Sequence, residues 1–212
     1  MTVIVINPNS TAAMTGSILA MAETAAPGVT FEGWTSSLAP PAIQGPEDVA
    51  AATPPLLELV AQAARRGAGG VILACFDDPA LAEARACAPC PVIGVGQAAF
   101  HHAALRGWRF SVVTTLPAAI PAIEANIRNY GLSQHLARIR ASDVPVLALE
   151  DDTEAACARI AEEAERAVAE DDIEAVILGC AGMAKVTGHL RTRLPVPVID
   201  GVEAAARFVS VL

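Results

Sequence analysis

Gly70-Val71-Ile72-Leu73-Ala74-Cys75 and Ala175-Val176-Ile177-Leu178-Gly179-Cys180 share one pattern: a short aliphatic run, a small residue, then a cysteine. The two stretches lie 105 residues apart. Pro91-Val92-Ile93-Gly94 and Pro197-Val198-Ile199-Asp200 repeat in the same way at a spacing of 106, and Val5-Ile6-Asn7 and Val112-Val113-Thr114 at 107. One such match is what Val/Ile-rich segments produce by chance. Three in the same order at nearly constant spacing divide the chain into two pseudo-repeats of about a hundred residues each.

Working outward, the apolar runs Val3–Ile6, Val71–Leu73, Pro91–Ile93, Phe110–Val113, Val144–Leu147, Val176–Leu178 and Pro197–Ile199 read as buried strands. Ala-rich helical segments are predicted near 11–25, 47–66, 79–86, 97–106, 118–130, 153–169 and 202–211. Continuous apolar strands alternating with helices predict parallel sheets covered on both faces. The expected fold class is therefore α/β, with two pseudo-symmetric lobes, each a mainly parallel sheet flanked by helices, and an active site in the cleft between them. The expected division places 1–95 plus 201–212 in the first lobe and 96–200 in the second. The last helix should pack back on the first lobe.

Composition narrows the function. The 212 residues are 53% hydrophobic but only 4% aromatic, so the core must be aliphatic. With 14 Lys+Arg against 23 Asp+Glu the net charge is −9, which repels phosphate backbones and anionic lipid and disfavours nucleic acid and membrane partners. The charge-free residues 1–22 contain Asn7-Pro8-Asn9-Ser10-Thr11, and the charge-free stretch 86–105 is broken by Pro89, Pro91, Gly94 and Gly96. Neither fits a spanning helix or a signal peptide, so a cytoplasmic protein is expected. Five cysteines in such a chain argue against a disulfide framework.

The repeat sets one cysteine directly after a buried strand in each half. Ligands of open α/β sheets bind outside the carboxyl ends of the strands. Two facing lobes would bring Cys75 and Cys180 to one cleft from opposite sides. Inverting a stereocentre by proton transfer needs an acid/base group on each face, and a thiolate opposite a thiol supplies that pair. Backbone N–H groups at a helix start can tune such thiols. After Cys75 come Phe76-Asp77-Asp78-Pro79, in which Asp78 is expected to cap a helix with Pro79 in its first turn. After Cys180 come Ala181-Gly182-Met183, whose small side chains let backbone donors approach a ligand. A cysteine at a strand end is more commonly an inert buried hydrophobe; equivalence in the repeat favours catalysis here.

Ile6-Asn7-Pro8-Asn9-Ser10-Thr11 with Met14-Thr15, Ala74-Cys75-Phe76-Asp77-Asp78-Pro79, Val112-Val113-Thr114-Thr115-Leu116 and Leu178-Gly179-Cys180-Ala181-Gly182-Met183 together resemble the hydantoin racemase family. That family includes allantoin racemases and belongs to the aspartate/glutamate racemase superfamily. Pro145–Glu150 and Pro197–Gly201 extend the similarity, which runs from residue 3 to about 208. The resemblance implies cofactor-independent racemisation of a 5-substituted hydantoin, allantoin or related cyclic amide, with Cys75 and Cys180 as paired acid and base and neither metal nor pyridoxal phosphate. It implies that Asn9 and Thr115 donate hydrogen bonds to substrate, and that Thr114, Phe76, Asp77, Gly45, Ala181 and Gly182 also line the substrate site. The partner is then a small molecule, with a homo-oligomer as the expected assembly. The alternative within the superfamily is an amino-acid racemase or an arylmalonate-type decarboxylase. One segment departs from the family pattern: Ala42-Ile43-Gln44-Gly45-Pro46-Glu47-Asp48 lacks the usual His-Tyr pair.

Other features carry less. Cys87-Ala88-Pro89-Cys90 precedes a strand rather than a helix, and no second pair completes a zinc site. His101 could serve a cysteine hydrolase as base, but as part of His101-His102 on a predicted helix it reads as a partly buried structural residue. Glu150-Asp151-Asp152 reads as a solvated helix entrance with Asp152 or Thr153 as cap.

Overall fold

The strands fall into two sheets of identical topology. The computed structural model describes residues 2–151 and 153–212, with the backbone alone for Thr153; the expected Asp152 or Thr153 cap lies outside the described residues. The first half runs β1 (Thr2–Asn7), α1 (Ala12–Ala25), β2 (Thr30–Thr35), α2 (Pro46–Arg65), β3 (Gly70–Leu73), α3 (Leu81–Cys87), β4 (Val92–Gly94) and α4 (Val95–Leu105). The second runs β5 (Phe110–Thr114), α5 (Ile120–Asn129), β6 (Leu136–Ala141), α6 (Ala148–Asp151), α7 (Thr153–Glu170), β7 (Ala175–Leu178), α8 (Ala184–Arg193), β8 (Val198–Asp200) and α9 (Gly201–Val209). The orders are β2-β1-β3-β4 and β6-β5-β7-β8, parallel throughout. Val5 pairs with Ile72 and Ile72 with Ile93, as Val112 pairs with Ile177 and Ile177 with Ile199.

Side-chain alternation builds two half-cores per sheet. Val3, Val5 and Ile72 pack under α1 and α9, while Ile4, Ile6, Val71 and Leu73 pack under α2 and α3. In the second sheet Val176 and Leu178 meet α7 and α8, while Phe110, Val112 and Ile177 meet α4 and α5. The core is mainly aliphatic, as the composition requires, with Phe76, Phe100 and Phe110 clustered around α4 and Phe31 in the first half-core. The helix that follows each sheet's last strand thus crosses to the other sheet. Ala99, Phe100 and Ala103 of α4 cover the second, and Ala205, Ala206 and Val209 of α9 cover the first. The expected return of the C-terminal helix to the first lobe is what the packing of α9 against α1 and β3 shows.

Three expectations are corrected. Val144–Leu147 is not a strand: Asp143 adopts a left-handed conformation (φ 59°), Pro145 has no N–H, and Pro145 and Val146 carbonyls begin the turn into α6. Val144 and Val146 are buried by packing over the second lobe and the site rather than by a sheet. One outer strand of each sheet is instead unforeseen: β2, which carries Glu32 and Gly33, and β6, which carries Arg138 and Arg140. Edge strands tolerate such residues, and the buried Arg140 is held by Asp171, Glu163 and Glu170. The third correction concerns Asp78. It caps α4 rather than its own α3, accepting hydrogen bonds from Gly96 N (3.0 Å), Gln97 N (2.6 Å) and the Tyr130 hydroxyl (2.9 Å). Left-handed backbone at Asp78 (φ 46°) and Ala80 (φ 52°) turns the carboxylate away, so α3 starts only at Leu81.

Candidate active site

In each sheet the first strand sits inside, with its successor on one side and the third strand on the other. The chain therefore reverses its winding direction between β1 and β3 and between β5 and β7, and a crevice opens at their carboxyl ends. The loops leaving these four strands are Pro8–Thr11, Ala74–Asp77, Thr115–Leu116 and Gly179–Gly182. A single cavity of about 30 Å³ collects Asn9, Cys75, Thr115 and Cys180, one from each loop. Of the residues expected at the site, Thr114, Phe76, Asp77, Ala181 and Gly182 also line it. Gly45 does not; it starts α2 behind the loop, with its α-carbon facing Ala118 of the other lobe.

Each cysteine opens the same turn. Asp78 N–H donates to the Cys75 carbonyl (3.0 Å), and Met183 N–H to the Cys180 carbonyl (3.1 Å). The turns aim further backbone donors at sulfur: Asp77 N–H at Cys75, and Gly182 and Met183 N–H at Cys180. A small residue before each cysteine is required where the strand ends lie close. A Cβ at Gly179 would come within 2.9 Å of Thr114 Cβ and of Val112 Cγ1.

Burial dominates the electrostatics. It drives the Cys75 thiol well above its ordinary range, reinforced by the nearby Asp77 carboxylate and by Cys180 itself. Burial pushes Cys180 up to about 12, against the pull of its backbone donors. Both sulfurs are therefore thiols in the unliganded site, and either becomes a strong base once it loses its proton. Burial also raises Asp77 to about 6.

The polar side chains divide into committed and free. Asn9 Oδ1 accepts from Asn7 Nδ2 and from Thr11 N, both at 2.9 Å, which fixes the amide so that its Nδ2 faces only the weak acceptor Met14 Sδ at 3.3 Å. That leaves an oriented donor at the cavity. Thr114 Oγ1 donates to the Gly179 carbonyl (3.0 Å) and holds β5 to the Cys180 loop. Sequence reasoning missed the apolar wall: Met14 and Ile43 from the first lobe, Val146 and Ala119 from the second. Ile43 lies in the segment noted as atypical, but nothing in the pattern shows that it reaches the cysteines. The roof is fastened across the lobes where Val146 N–H donates to Gln44 Oε1 (2.9 Å).

Other candidates fall outside. His101 holds the Gln97 carbonyl through Nδ1 (2.8 Å) and faces an open apolar groove of about 570 Å³ along β4, where Cys90 also lies. That groove is larger than the cysteine cavity but carries no paired acid and base. Among the described residues no three His, Cys, Asp or Glu side chains converge as a metal-holding group, and no helix is long and apolar enough to cross a membrane.

The fold is α/β, two like lobes with a cysteine from each at one crevice. The Asp/Glu/Hydantoin racemase family model matches residues 3–209, and the chain belongs to that family, an enzyme of the racemase class. It is 43% identical to the hydantoin racemase of Rhizobium meliloti over 98% of this chain and 86% of that protein. It superimposes on an allantoin racemase from Klebsiella pneumoniae with a TM-score of 0.95 at 41% identity, covering 100% of this chain and 87% of that one. Arylmalonate decarboxylase shares the fold alone, with a TM-score of 0.70 at 16% identity over 100% of this chain and 92% of that one.

Proposed function

We propose that this enzyme racemises a neutral cyclic amide, a 5-substituted hydantoin or allantoin, using Cys75 and Cys180 alternately as base and acid and no cofactor. One observation carries the reading: the two cysteines occupy equivalent positions of the repeat yet line one cavity, close enough that charge on Cys180 raises the pKa of Cys75. One thiolate takes the proton from C5, and the C–H electron pair passes into the ring carbonyl as an enolate. The opposite thiol then returns a proton to the other face and is left as the thiolate. The Asn9 amide is the donor available to the enolate oxygen, where charge develops. Delocalisation into the ring carbonyl makes this proton acidic enough for thiol chemistry.

The cavity supports a neutral substrate over an amino acid. Among the described residues no Lys or Arg lines it, and the carboxylate that does, Asp77, would repel a second. The homologous hydantoin and allantoin racemases agree with that choice. The test is incubation of single enantiomers of 5-substituted hydantoins and allantoin in D₂O. Loss of optical rotation with deuterium appearing at the stereocentre is expected. Retention of both rotation and protium across the panel would overturn the reading.

A further inference from the structure

The three aspartates buried among the described residues are each supplied with donors. Asp78 has three, and Asp200 has three in Val202 N, Glu203 N and Thr187 Oγ1. Asp171 has Ser111 and Arg140. Asp77 is partly buried and lines the cysteine cavity, and among the described residues its carboxylate has no hydrogen bond and no ion pair. Its main chain, by contrast, is fully committed. The N–H serves Cys75, and the carbonyl accepts from Asn126 Nδ2 of the other lobe at 2.7 Å. The backbone thus fixes the side chain in place without giving it a partner. The carboxylate borders the cysteine cavity, so its unengaged acceptor oxygens are open to a ligand seated there.

From this geometry we infer that the Asp77 carboxylate is the acceptor for an amide N–H of the substrate ring, and so selects cyclic amides bearing a free N–H beside the reacting carbon or between the carbonyls. This rests on the proposed function and names how that site recognises its substrate class. The carboxylate accepts but cannot donate, so it complements a ring N–H and rejects an N-alkylated ring. Its negative charge also disfavours substrates with an anionic C5 substituent. Because only the side chain is used, its replacement leaves the Cys75 turn and the Asn126 contact intact.

The test measures binding of 5,5-dimethylhydantoin, which has no C5 proton to exchange, and of its N1-methyl and N3-methyl derivatives, to wild-type enzyme, Asp77→Ala and Asp77→Asn by calorimetry. Thermal melting confirms that each variant is folded. Methylation of one ring nitrogen is expected to weaken wild-type binding roughly tenfold to a hundredfold, the range for a hydrogen bond to a charged group. The same methylation should cost nothing further in Asp77→Ala, and Asp77→Asn, which keeps an acceptor oxygen, should lie between. Equal losses in wild type and Asp77→Ala overturn the inference while leaving racemisation, followed by D₂O exchange of 5-methylhydantoin, untouched. Preference of the wild type for an α-ammonium ligand, lost in Asp77→Ala, assigns Asp77 to an amino group and also overturns it. A wild type that neither binds nor exchanges hydantoins overturns the proposed function and this inference with it.

Discussion

The carboxylate of Asp78 occupies the space that a side chain at Gly94 would fill: a Cβ built on Gly94 would stand 2.1 Å from Asp78 Oδ1. In the second repeat the position matching Gly94 is Asp200, which caps α9 with its own carboxylate. Each crossing helix is therefore capped by an aspartate, supplied in one lobe from the strand end and in the other from the loop after the cysteine. Gly94→Ala should cost about 2–4 kcal/mol, by overpacking and by displacing the cap. The backbone there is ordinary (φ −85°), so the loss is steric rather than conformational. Denaturant unfolding measures it.

The pair of thiols sets the pH dependence of turnover. Both are raised, Cys180 to about 12, so the thiolate fraction grows as pH rises. The rate kcat/KM should climb about tenfold per unit above neutrality, with no plateau below pH 9. A plateau near neutral pH would show that one thiol already titrates near neutrality in the free enzyme, since kcat/KM reports free-enzyme groups.

Replacing either cysteine by serine should lower racemisation about a thousandfold or more, within the range for loss of a general acid or base. A single-cysteine variant is left with one proton-transfer face. It should still exchange the C5 proton of one enantiomer for deuterium while failing to invert it. Proton NMR in D₂O, run separately on each enantiomer, distinguishes the two losses.

Asp77 sets stability against function. Its folded-state pKa of about 6 exceeds the ordinary 3.8, so its contribution is fully favourable below about pH 3.8 and is lost as pH rises through 6. Asp77→Asn should raise unfolding free energy at pH 7 by about 1–3 kcal/mol and leave it nearly unchanged at pH 4. Thermal melts at the two pH values check this.

Gln44→Ala removes a hydrogen bond that fastens Val146 over the cavity from the other lobe. One neutral hydrogen bond is about 1 kcal/mol. KM should therefore rise about threefold to tenfold with kcat little changed, as steady-state kinetics would show.

The repeat made the inner strands and the cysteine positions readable, because Val71–Leu73 and Val176–Leu178 are buried on both faces and carry an uninterrupted apolar signal. Among the described edge strands, β4 and β8 were readable as apolar runs and β2 and β6 were not: Thr30–Thr35 and Leu136–Ala141 mix charged and apolar residues, and most of their side chains are only partly buried. The helix Ala184–Arg193 was missed as well: Val186, Thr187 and Gly188 are poor helix formers, and the packing of Val186 and Leu190 on the second sheet imposes it. At the site, motif residues on the four strand-end loops were legible. Ile43, Val146 and Ala119 were not, because they reach the cavity from loops and a short helical turn that close over it only in three dimensions.

The exchange of α4 and α9 governs the order in which the molecule can be completed. As the chain leaves the ribosome, β1, β3 and β4 emerge early, but the face bearing Val3, Val5 and Ile72 is covered by α1 alone until Ala205 and Val209 are made. The half synthesised first is the half finished last. Truncation after residue 200 would thus strip the amino-terminal sheet rather than the lobe from which residues were removed, and a nascent chain stalled there would present that aliphatic face to whatever chaperone is near.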